Sequence, residues 1–146
     1  MSLYKAFKTD ESVETKGVWI EYDTQGDGKP ARFKIARAGG SNRKYTAVLE
    51  RKMKPVRRAL ATGALDDKVS ERILAETYAE AVILGWENIT WPDGNGAEKA
   101  LSFSRENCVM VLLALPELFA DLQLQANRVA PFRDALGDRE ADSGNS

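Results

Sequence analysis

The chain has 146 residues, 43% of them hydrophobic, and its 21 basic and 22 acidic side chains leave a net charge of −1. That length and apolar content suit one compact domain with its own core, and the near-zero charge gives no whole-molecule attraction to nucleic acid or membrane. There is no histidine, which removes the commonest general base and metal ligand, and a single cysteine, Cys108, excludes an intramolecular disulfide and Cys-rich zinc sites.

The expectation is therefore a binding protein and not an enzyme, with no cofactor, no metal and no catalytic residue. One thiol and no apolar run in the first ten residues fit a reducing cytoplasmic compartment. The longest apolar run, Val109 to Leu115, is seven residues, far short of a membrane span.

Residues 1–16 are polar and weakly patterned, and read as a short arm or first edge element. Gly17 to Tyr22 is β-branched and aromatic, which predicts a strand. Asp23 to Pro30 is turn chemistry, and Ala31 to Arg37 alternates polar and apolar as a half-buried strand does. Two strands joined by a Gly/Asp turn form an antiparallel hairpin most simply. Gly39-Gly40 breaks the second strand.

Ser41 or Asn42 can cap the next helix, whose apolar stripe runs through Tyr45, Val48, Leu49, Met53, Val56, Ala59 and Leu60. Pro55 should kink or split it, and Gly63 stops it. Asp66 or Asp67 caps a third element with Val69, Ile73, Leu74, Tyr78, Ala81 and Val82 on one face, ending at Gly85 as the C′ residue.

Trp86 to Ser102 reads as a connector, in which Trp86 to Trp91 can pair as a short strand and Pro92 to Gly96 is a loop. Ser104, with Glu106 in the first turn, opens a helix through Leu115. Pro116 at N1 begins the last helix, with Leu118, Leu122, Gln125/Ala126, Val129, Phe132 and Leu136 on one face and a bend at Pro131. The domain is expected over residues 1–137, followed by a mobile polar tail at 138–146. The fold class that follows is α+β and α-rich, an N-terminal antiparallel hairpin packed on four to five helices. Core positions should include Trp19, Phe33, Ile35, Val48, Leu49, Ile73, Tyr78, Val111, Leu112, Leu118, Phe119 and Leu122.

Most motif matches reduce to structure. Asp23-x-Gln25-x-Asp27-Gly28 has alternate oxygen ligands, but position twelve of a calcium loop would be Lys34 instead of a glutamate, so a hairpin turn is the better reading. Asn88-Ile89-Thr90 fits a glycosylation pattern without any sign of secretion. Gly39-Gly40-Ser41-Asn42-Arg43-Lys44 lacks phosphate-loop spacing. Cys108 lies among Val109 to Leu112 and reads as core packing, and acid pairs such as Asp66/Asp67 and Glu76/Glu80 read as helix-terminal or solvated groups.

The charges are unevenly placed. From Arg43 to Arg58 there are seven bases and one acid, while from Ala64 to Phe103 there are eight acids and three bases. The basic segment reads either as a surface for an anionic partner or as a solvated face balanced by the acidic segment packed beside it. Beyond Tyr45 no aromatic is interleaved with these charges, so base stacking is poorly served. A small nucleic-acid-binding regulator using residues 43–58 stands as the alternative function.

The order of several stretches resembles the tail assembly chaperones of long-tailed, siphovirus-type bacteriophages. These are Phe33 to Arg37, Asn42 to Tyr45 with the basic helix ending Arg57-Arg58-Ala59-Leu60-Ala61-Thr62-Gly63, Gly85 to Ile89, Phe103 to Asn107, Leu115 to Gln123, and the closing Gly144-Asn145-Ser146. The resemblance covers residues 31–146. It implies a protein of the infected host's cytoplasm that binds the tape-measure protein. It would keep that protein soluble while the tail-tube protein polymerises, and be absent from the mature virion. Family members are often made in a short and a frameshifted longer form, and this chain resembles the short one. Self-association would suit a protein that coats a long client, although no residue reports it. Under this reading Arg51, Lys54 and Arg58 steer the client, and Leu122, Val129 and Phe132 on the C-terminal helix supply apolar contact.

Overall fold

The computed structural model describes residues 2–23 and 29–133. Residues 24–28 of the expected hairpin turn and the polar tail at 138–146 lie outside them. So does Leu136.

Two short helices open the chain, α1 (Leu3–Phe7) and α2 (Glu11–Lys16), where the sequence suggested an arm or edge element. The missed signals are caps: the Ser2 hydroxyl accepts from the amide of Lys5, and the Asp10 carboxylate accepts from those of Ser12 and Val13. Strands β1 (Val18–Tyr22) and β2 (Ala31–Ile35) form the expected antiparallel hairpin, with Ile20 opposite Phe33. Alternation sends Val18, Ile20 and Tyr22 inward. Trp19 was expected in the core, but its register turns it outward with 37% of its surface exposed, beneath the Arg32 guanidinium.

Asn42 holds the cap position of α3 (Arg43–Met53) without capping it. Its side-chain amide donates instead to the carbonyls of Arg37 at 2.8 Å and Ala81 at 2.9 Å. Pro55 splits the basic helix: a 3-10 turn at Lys54–Val56 leads into α4 (Arg57–Ala61), and Gly63 follows with a positive φ. Asp66 caps α5 (Asp67–Ala81) by accepting from the Lys68 amide.

Helix α5 ends earlier than its apolar face suggested. Val82 and Ile83 leave the helix, and β3 (Ile83–Glu87) joins the sheet, so Gly85 is a strand residue opposite Lys34 and not a helix C′ position. The sheet is β1-β2-β3, antiparallel throughout, with a bulge at Lys34/Ile35. The rest of the expected connector is a second hairpin, β4 (Thr90–Pro92) and β5 (Glu98–Ala100). Helix α6 (Arg105–Ala114) is capped by the Ser104 hydroxyl, and α7 (Pro116–Asn127) begins at Pro116, as expected. The two helices meet at a bend of 110°. The last helix stops at Asn127, before Pro131, which lies in a separate 3-10 turn at Ala130–Phe132.

One core unites the sheet with α5, α6 and α7. Phe33, Ile35 and Trp86 pack with Tyr78, Val111, Leu112, Phe119, Leu122 and Phe132. Edge-to-face contacts link Phe33 to Trp86 at 5.8 Å and Tyr78 to Phe119 at 5.3 Å. The expected α+β, α-rich class is the observed one, with a third strand added to the hairpin.

Candidate functional site

The structure places the sequence-derived partner residues in two different settings. Leu122 and Phe132 are fully buried in the core, so neither side chain is presented to a partner. Val129 is half-buried just before the final 3-10 turn. Lys54 and Arg58 are exposed on the broken basic helix. Arg51 is exposed too, yet its guanidinium donates to both carboxylate oxygens of Glu80 at 2.8 Å.

That pair belongs to a cluster joining three helices. The Glu80 carboxylate also faces Lys52 at 3.7 Å and Arg105 at 3.7 Å, and Lys52 reaches Glu76 at 3.2 Å. The Arg51 hydrogen bond, opposed by burial and aided by the charges of Arg105 and Lys52, holds the Glu80 carboxyl below the ordinary carboxylate range. The basic 43–58 segment thus packs on the acidic α5 for part of its length. Arg57 pairs with Glu50 on its own segment.

Between α3, α5 and α6 lies a groove of about 530 Å³. Its floor is Val109, Met110 and Leu113, with Lys52, Arg72 and Arg105 and the acids Glu76 and Glu106 on its sides. Met110 and Leu113 retain 39% and 36% exposure. They are three residues apart on α6, on the side opposite Cys108, Val111 and Leu112, which are buried. The sequence held the clue: Val109 to Leu115 is apolar all round, and a helix packed on one side must leave the other in solvent.

A second, larger groove of about 1100 Å³ separates the β4–β5 hairpin from α6 and α7. Trp91, Leu101, Phe103, Leu115 and Leu118 supply apolar walls, and Glu87 and Glu98 line it with Lys29. The Tyr22 hydroxyl, at one end, donates to the Asp121 carboxylate. Burial and then that carboxylate push the phenol well above its ordinary value. Trp86 closes the base by donating its indole N–H to the Leu101 carbonyl at 2.8 Å.

Neither groove assembles a nucleophile with a base. The Cys108 thiol is buried, and burial pushes its pKa up to about 12, so it packs as a small hydrophobe. Among the described residues no group of three Cys, Asp or Glu side chains is placed to hold a metal ion.

Residues 40–145 match the model of a family described as YdaY prophage protein, a stretch that runs from just before α3 to the penultimate residue. No curated protein and no solved structure matches the chain.

Proposed function

We propose, from a chain that belongs to the YdaY prophage protein family, that it acts as a phage tail assembly chaperone. On this reading it binds the tape-measure protein in the host cytoplasm, keeps it soluble while tail-tube protein assembles around it, and is left out of the mature virion. The family fixes a phage-related origin. The tail-assembly role rests on the resemblance of the motif order and on the surface now described.

The observation that carries it is the Met110/Leu113 groove. A long helical client with an apolar stripe needs that stripe covered, and a shallow groove with an apolar floor and charged walls accepts one face of a helix. Methionine adapts its shape to varied side chains, which suits a client presenting many similar segments. Walls of both signs, Arg72 and Arg105 against Glu76 and Glu106, set register without holding tightly. Half-exposed Met110 and Leu113 gain only about 1 kcal/mol each on being covered, so release remains easy.

The ion pairs weaken the nucleic-acid alternative. Of the seven bases in 43–58, Arg51, Lys52 and Arg57 are committed to carboxylates. A phosphate backbone would have to displace those acids before counterion release could drive binding.

The test is capture of purified tape-measure segments by the chain and by its Met110→Glu/Leu113→Glu variant. Both side chains are exposed, so the variant should fold. Loss of capture with an unchanged melting temperature supports the reading, and unchanged capture removes this groove as the client site.

A further inference from the structure

Helix α1 is an amphipathic segment that none of the described residues buries. Leu3, Tyr4 and Phe7 share one face, are 79%, 68% and 65% exposed, and α1 contributes no buried residue. The chain is fastened immediately afterwards. Thr9 bridges to Arg133, and the Asp10 amide donates to the Phe132 carbonyl at 2.9 Å. The arm therefore projects from a fixed point, holding three large apolar side chains in water, an arrangement that marks an interaction surface.

We propose that α1 docks through Leu3, Tyr4 and Phe7 into the groove between the β4–β5 hairpin and α6–α7 of a second copy of this chain. The groove's roughly 1100 Å³ exceeds the approximate 300–1000 Å³ of small-ligand pockets. It matches one helical turn bearing three large side chains. Its walls, Trp91, Phe103 and Leu115 among them, are apolar and partly exposed.

Charge suits this occupant. The arm carries Lys5 and Lys8 and no acid, while the groove is lined by Glu98 and by Glu87, the latter already paired with Arg32 at 3.1 Å, with Lys29 the opposing cation in the lining. Arm and groove are complementary and each copy has one of each. Docking can then be reciprocal, giving a dimer, or head to tail, giving a ring or filament. The proposal concerns the second groove, lined by residues other than those of the client site, and does not depend on the chaperone reading.

Sedimentation velocity of the full chain across a concentration series tests it. The parent should self-associate. Leu3→Ser/Tyr4→Ser/Phe7→Ser in the arm, or Leu115→Glu in the groove, should each weaken association by more than about tenfold. Mixing the arm variant with the groove variant should restore pairing, because each retains the half the other lacks. Lys5→Glu/Lys8→Glu should weaken association, and adding Glu98→Lys to that chain should recover part of it. A parent that stays monomeric at all concentrations overturns the proposal. So does self-association indifferent to the arm triple, whose fold circular dichroism checks independently.

Discussion

The Glu14 carboxylate, 2% exposed, accepts a hydrogen bond from the Arg37 guanidinium and so ties α2 to the segment that follows β2. The hydroxyls of Ser41 and Thr9 donate to the same carboxylate at 2.9 and 3.1 Å. Burial alone would raise its pKa, but these donors and the Arg37 charge outweigh burial and hold it below the ordinary 4.5.

Replacing Glu14 with Gln should therefore destabilise the protein by about 3 kcal/mol at neutral pH, by leaving Arg37 without its buried partner. A depressed folded value means the stabilisation is complete above the ordinary value of 4.5 and is lost as pH falls below it. Urea midpoints measured from neutral to acidic pH should fall steeply at the acid end for the parent and less steeply for Glu14→Gln. Glu80, also depressed, leaves the variant some residual slope.

Among the described glycines, Gly40 should be the least replaceable. Its φ is +54°, and a Cβ there would lie 2.2 Å from the Glu14 Oε2 and 2.9 Å from the Arg37 Cδ. Gly40→Ala combines backbone strain with displacement of the ion pair and should cost more than the roughly 1 kcal/mol of strain alone. Gly63→Ala, with positive φ but open space around it, should cost about that 1 kcal/mol. Thermal melts of the two variants check the difference.

Leu112 and Phe119 come from adjacent helices that meet at the 110° bend, and both are buried in the shared core. Leu112→Ala or Phe119→Ala should each destabilise by about 2–5 kcal/mol, the lost transfer energy plus a cavity. Chemical denaturation of either variant matching the parent would contradict the packing of α6 and α7 described above.

How much of this was legible depended on whether the cause was local. The hairpin, the break at Pro55 and the starts at Asp66, Ser104 and Pro116 all follow from neighbouring residues, and the structure has them. The local caps at Ser2 and Asp10 were missed, and so were several features that needed a distant partner. Val82-Ile83 could extend a helix or begin a strand, and only pairing of β3 with β2 decides. Trp19 looked like core by composition, yet β1 register puts Ile20 opposite Phe33 and turns Trp19 out. Leu122 and Phe132 are apolar enough for a partner surface, but both are fully buried in the shared core. The Met110/Leu113 groove needed knowledge of which side of α6 meets α5.

Cys108 should be unreactive in the native state, because its burial pushes the thiol up to about 12 and removes the thiolate. A thiol-specific disulfide reagent should label it only as fast as the protein unfolds. Rapid stoichiometric labelling of the folded chain would show the α6 core to be open.

The chaperone reading meets its most direct test in co-expression with the cognate tape-measure protein. The account predicts that the tape-measure protein, insoluble alone, becomes soluble and co-purifies with this chain. It also predicts that Lys54→Glu/Arg58→Glu, which leaves the Arg51–Glu80 pair intact, slows capture and flattens its salt dependence without unfolding the protein. Tape-measure solubility that is the same with and without this chain would contradict the tail-assembly role, leaving a prophage-family protein with another partner.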